Sequence, residues 1–99
     1  MTLSEILQDI HACEEDMLEY ERKYGIRSAT FHESYMQGDE PPAGASVIDW
    51  AGWAGAYATW LERQEQYIEA LQLLRRQSSL IQIIEKAVQR DPIPVPTSL

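Results

Sequence analysis

Apolar residues recur along this chain with the period of a helix. Leu3, Ile6, Ile10, Cys13, Met17, Tyr20 and Tyr24 are spaced three and four apart, which is the seam of a helix that buries one stripe. Thr2 with Glu5 makes a capping box at its start, and Gly25 supplies a left-handed stop at its end. A longer seam runs through Trp50, Trp53, Tyr57, Trp60, Gln64, Tyr67, Leu71 and Leu74 and holds all three tryptophans. Ser46 followed by Asp49 marks where that helix begins, with the acid at the positive end of the helix dipole. A second face of the same helix, Ala51, Ala54, Gly55 and Ala58, is small enough to let another backbone approach, and predicts packing on two sides of its first turns.

Between the two seams, Ser28 can cap a short helix in which Phe31 and Tyr35 lie one turn apart, and Gly38 ends it. Residues 39–45, with two prolines and a glycine, form a loop. Roughly twenty residues are enough for the long helix to return along the first, so the spacing predicts an antiparallel, coiled-coil-like hairpin with a helical elbow. Past Leu74 the phase changes. A continued helix would place Leu73, Leu80, Ile84 and Ala87 nearly opposite Trp50, Trp53 and Tyr57. Ser79 with Gln82 offers a fresh capping box, so a break is expected at 77–79 and a separate amphipathic helix over 80–90. Pro92, Pro94 and Pro96 then enforce an extended tail without hydrogen bonds. The fold class is all-α: a hairpin domain over 1–78, then a C-terminal helix and proline-rich tail over 79–99.

Charge narrows the partners. Sixteen acidic residues against eight basic give a formal net of -8, which disfavours direct nucleic-acid binding and suits a basic protein partner. The acids Asp9, Glu14, Glu15, Asp16, Glu19 and Glu21 face solvent on the first helix, whereas 75–99 carries Arg75, Arg76, Lys86 and Arg90 against Glu85 and Asp91. A single cysteine, Cys13, excludes an internal disulfide and behaves as a small hydrophobe. No apolar run approaches the ~18 residues of a membrane span, and no basic-then-apolar leader opens the chain, so a soluble cytoplasmic protein without membrane contact is expected.

Candidate chemistry is sparse. Gln8 and Ala29 stand three residues before His11 and His32, so the Glu-x-x-His pairs of di-iron bundles cannot be built. No glycine-rich elbow or phosphate cradle surrounds a serine. No catalytic, metal or cofactor site is expected. Leu80, Ile81, Ile83, Ile84 and Val88, with Ile93 and Val95 behind them, are the candidate partner-binding set, because a short helix with branched residues on several sides needs more cover than a hairpin supplies. The same set can instead fold back or pair with a second copy. Tyr67, Leu71 and Leu74 are candidate dimer contacts: the first helix is about 33 Å long and the third about 43 Å, so the last turns of the third outrun their cover. A non-catalytic interaction protein, homo-oligomeric through these residues, is one outcome; a purely structural homodimer is the other.

Tyr24, Gly25, Phe31, Tyr35, Gly38 and Asp39, then Asp49, Trp50 and Tyr57, together resemble the Y-G…F-x-x-x-Y-x-x-G-[DE]…D-W…Y pattern of small helical antitoxins, encoded beside a ribonuclease-type toxin in prokaryotic two-gene operons. The similarity spans roughly residues 3 to 74 and rests on turn glycines and aromatics. It implies a protein that binds and silences a toxin, and an acidic surface suits a basic, RNA-cutting partner. The tail after Leu74 departs from the pattern, and no DNA-binding module for operon autoregulation is recognisable.

Overall fold

The computed structural model describes residues 1–96; residues 97–99 of the expected tail lie outside them. Among the described residues are four helices, α1 (Leu3–Tyr24), α2 (Ser28–Met36), α3 (Val47–Gln77) and α4 (Leu80–Val88), and no strand. Thr2 Oγ1 accepts from the Glu5 amide at the head of α1, and Gly25, at φ 77°, closes its end by donating to the Glu21 carbonyl. Ser46 accepts from the Asp49 amide at the head of α3. No helix among the described residues is long and apolar enough to cross a membrane.

α3 returns antiparallel to α1, so the end of α1 meets the start of α3, and α2 closes that elbow. There Trp53 is wholly buried, with Met17, Phe31 and Ala54 around it. Its ring stacks on Phe31 at 4.1 Å between centroids, and Tyr20 and Tyr24 flank it at 5.7 Å each. The indole N–H donates to Ser28 Oγ (2.8 Å), and Ser28 in turn donates to Glu21 Oε2 from its hydroxyl (2.9 Å) and its amide (2.7 Å). Ser28 was expected to cap α2 with its own side chain. Arg27 occupies the cap position and makes no side-chain bond; Glu21, reaching across from α1, satisfies the first amide instead. That amide bond, helped by the hydroxyl and by Arg27, holds the Glu21 carboxyl below the usual carboxylate range. A second tie joins the same elements: Asp49 accepts from the Lys23 ammonium and from the Tyr24 hydroxyl (2.7 Å), and both lower its pKa.

The small-residue face of α3 is not packed as its composition suggests. Ala51, Gly55 and Ala58 are exposed and only Ala54 is buried. The close approach occurs at Gly52, where an added Cβ would lie 2.6 Å from Tyr20 Oη.

At the other end the cover expected to be missing from α3 comes from within the chain. Ser78 is extended (φ -143°, ψ 150°), α3 stops, and Ser79 with Gln82 forms both bonds of a capping box at the head of α4. α4 folds back so that Ile83 joins Leu3, Ile6, Ile10, Ala70 and Leu74 in one buried cluster. Leu74 is therefore covered without a second copy. The tail was expected to make no hydrogen bonds, yet Leu3 N–H donates to Ile93 O and Val95 N–H to Met1 O, both at 3.0 Å. Thr2 faces Pro94 between those bonds as a non-hydrogen-bonded pair, a place where a residue without an N–H loses nothing. Since successive residues of an extended segment turn their polar groups to opposite sides, Pro92, Pro94 and Pro96 remove donors from the outer edge only.

Candidate protein interface

The walls of α1, α3 and α4 meet around an open groove of about 890 Å³. Leu3 and Leu7 line it from α1, Tyr67 and Leu71 from α3, and Leu80, Ile83, Ile84 and Ala87 from α4, while Ile93 closes the end. Its rim carries Glu5, Arg90 and Asp91. Leu80, Ile83, Ile84 and Ile93 of the set expected for partner binding and Tyr67 and Leu71 of the set expected for dimerisation thus share one cavity, which sequence spacing alone did not connect.

Within that set the roles separate. Ile83, 6 % exposed, anchors α4 to the core and is not on offer to a partner in this conformation. Leu80 and Ile84 are half-exposed along the groove, and Ile81 (60 %) and Val88 (77 %) lie outside it on the free side of α4. Ile93 is half-buried in the groove; Val95 is half-buried on the other side of the α1–α3 pair, in a cavity of about 190 Å³ with Met1, Ile6 and Leu73. Tyr67 and Leu71 are half-buried and reachable, whereas Leu74 is buried. Leu7 was missed because it lies one row beside the α1 seam; its spacing of four from Leu3 was the available signal.

A second cavity, of about 380 Å³, opens at the elbow end between Glu14, Leu18 and Glu21 of α1, Tyr57 and Trp60 of α3, and the start of α2. Trp60 Nε1–H donates across the hairpin to Glu14 Oε2 (3.3 Å), and the Tyr57 and Trp60 rings stack at 5.9 Å. Arg63 and Asp9 bridge α3 and α1 at 2.8 Å. Burial pushes the Cys13 thiol up, and Asp16 and Asp9 add to the shift, so this thiol is a packing group with little thiolate character. Among the described residues no group of three or more His, Cys, Asp or Glu stands where it could hold a metal ion. What both cavities offer chemically is apolar contact edged by two carboxylates and one arginine each: Glu5, Asp91 and Arg90 at the first, Glu14, Glu21 and Arg27 at the second.

No protein-family model matches the chain, and neither a curated protein nor a solved structure shows significant similarity to it.

Proposed function

We propose that this chain is a non-catalytic interaction protein that captures a protein partner at the end where α1, α3 and α4 meet. One observation carries the reading: the apolar groove of about 890 Å³ lies open beside a helix that a single buried side chain anchors while Leu80, Ile81, Ile84 and Val88 stay accessible. Covering those four side chains would contribute on the order of 4 kcal/mol before the costs of association. The resemblance to small helical antitoxins and the net charge of -8 make a basic ribonuclease-type toxin the partner class best supported, with the complex formed in the cytoplasm. The test is co-expression with the protein of the neighbouring small reading frame: the full chain should protect cells, and Ile84→Asp should lose most of that protection while keeping its helical circular dichroism. Full protection by Ile84→Asp would refute docking at this end.

A second reading, a homodimer closed through the same groove, is favoured by Tyr67 and Leu71, which remain reachable there. Sedimentation at micromolar concentration separates the two, since the homodimer requires twice the monomer mass without any partner.

A further inference from the structure

We propose that the two cavities are the two ends of one docking trough, and that its occupant is a basic amphipathic helix of a protein partner. The inference rests on the reading of the chain as a binding protein and specifies what it binds. Leu7 lines the first cavity and Glu14 and Glu21 the second; these positions are seven residues apart on α1 and so share one face. Leu71 lines the first and Tyr57 the second, two heptads apart on α3 through Gln64. Both openings therefore lie on the same side of the hairpin, with α4 walling one end and α2 the other. In the wall of the second cavity the Trp60–Glu14 bond ties the two helices together.

The stretch between the cavities has exposed apolar side chains on its α3 bank and His11 and Glu15 on its α1 bank. On the α3 bank Leu61 is 44 % and Ile68 54 % exposed, and on the α1 bank Leu18, at the second cavity, is similarly exposed. From the Leu7 turn to the Glu21 turn the trough runs about 21 Å, the length of roughly four helical turns. The gap between two packed helices accepts the ridge of a third, which fits a helix better than an extended strand. Sign decides the class of occupant. Around the trough stand Glu5, Glu14, Glu21 and Asp91 against Arg27 and Arg90, and Glu65 lies between Leu61 and Ile68 on the α3 face. A second copy would bring another net charge of -8 to a face already acidic, whereas a helix with apolar residues at i, i+3, i+4 and i+7 and Lys or Arg beside them complements both floor and rim.

The experiment uses the full chain and two fluorescein-labelled synthetic peptides of about four turns. They share Leu positions at i, i+3, i+4 and i+7 and differ only in carrying Lys and Arg or Glu and Asp elsewhere. Fluorescence anisotropy should show binding of the basic peptide alone, weakened by added salt. Leu61→Asp and Ile68→Asp alter exposed side chains, so circular dichroism should be unchanged while affinity falls by about tenfold or more. Equal binding of the acidic peptide, no binding of the basic one, or indifference to both substitutions overturns the trough. Sensitivity to Ile84→Asp alone also overturns it while leaving partner docking at the α4 end intact. A dimer by sedimentation that Leu61→Asp converts to monomer would make a second copy the occupant and overturn the assignment to a basic helix.

Discussion

Replacing Trp53 with alanine tests whether the elbow is the structural centre that its geometry indicates. The side chain is wholly buried, and an indole of this kind removes ~200 Å² from water, worth ~5 kcal/mol at about 25 cal/mol per Å². Alanine keeps the Cβ contribution, and Tyr20, Tyr24 and Phe31 can close part of the space. The stacking on Phe31 at 4.1 Å is lost as well. The net expectation is a loss of ~3–5 kcal/mol, the range for buried Trp and Phe truncations. The indole N–H bond adds little to this figure, because Ser28 keeps its two bonds to Glu21 when the donor disappears. Trp53→Phe separates the effects: it retains most of the stack, removes the donor, and should cost only ~1–2 kcal/mol. Urea unfolding followed by far-ultraviolet circular dichroism gives both values by linear extrapolation. A loss below ~1 kcal/mol for Trp53→Ala would mean that the indole is not the core of the elbow; equal losses for both variants would place the energy in the hydrogen bond.

Three further outcomes follow from particular contacts. Glu21 and Asp49 are held below their ordinary pKa in the fold, so the stability they add is complete above the normal carboxylate range, near pH 4, and drains away as pH falls through their lower folded values; urea midpoints measured from pH 7 to 3 should fall less steeply for Asp49→Asn than for the parent chain. Gly55 has open space where a Cβ would sit whereas Gly52 meets Tyr20 Oη, so Gly55→Ala should stabilise by ~0.5–1 kcal/mol and Gly52→Ala should not, unless Tyr20→Phe is made with it; stabilisation by Gly52→Ala alone would show that Tyr20 moves freely. Ile83→Ala should cost ~2–3 kcal/mol in the same melts, and a negligible loss would mean that α4 is not held on the hairpin in solution.

Local signals carried the helices well because each cap is written within three residues. Thr2 with Glu5, Gly25, Ser46 with Asp49, and Ser79 with Gln82 all mark helix ends, and the break at 77–79 followed from a change of phase. What escaped was decided by residues far apart in the chain. Nothing near Ser28 reports that Glu21 will take over its capping role. Nothing in the proline spacing reports that Ile93 and Val95 will bond to Met1 and Leu3 some ninety positions away. The periodicity of α3 likewise put Trp53 on the core stripe, yet left Trp50, Tyr57 and Trp60 undistinguished from it although all three are only half-buried, and it set Leu74 among uncovered dimer contacts although Leu74 is buried, because a seam shows which stripe faces inward and not how many neighbours that stripe will have. The groove was visible in pieces, as two residue sets assigned to separate purposes, since the fold-back of α4 that joins them has no local signature.

The lengths of the helices explain why this hairpin leaves a face to fill. α3 has 31 residues and α1 has 22, so about 13 Å of α3 has no α1 beside it. α4, with nine residues, covers that excess by inserting Ile83 beside Leu74, and α2 covers the opposite end by inserting Phe31 beside Trp53. Each short helix protects only the stretch it crosses. A helix packed on one neighbour hides one stripe, and the middle of α3 has α1 alone; Leu61 and Ile68, next to that stripe, consequently meet water. α1 by contrast presents His11 and Glu15 there. Leu61 and Ile68 stand at positions that no described element of the chain covers, and these are the side chains that the proposed partner helix would cover.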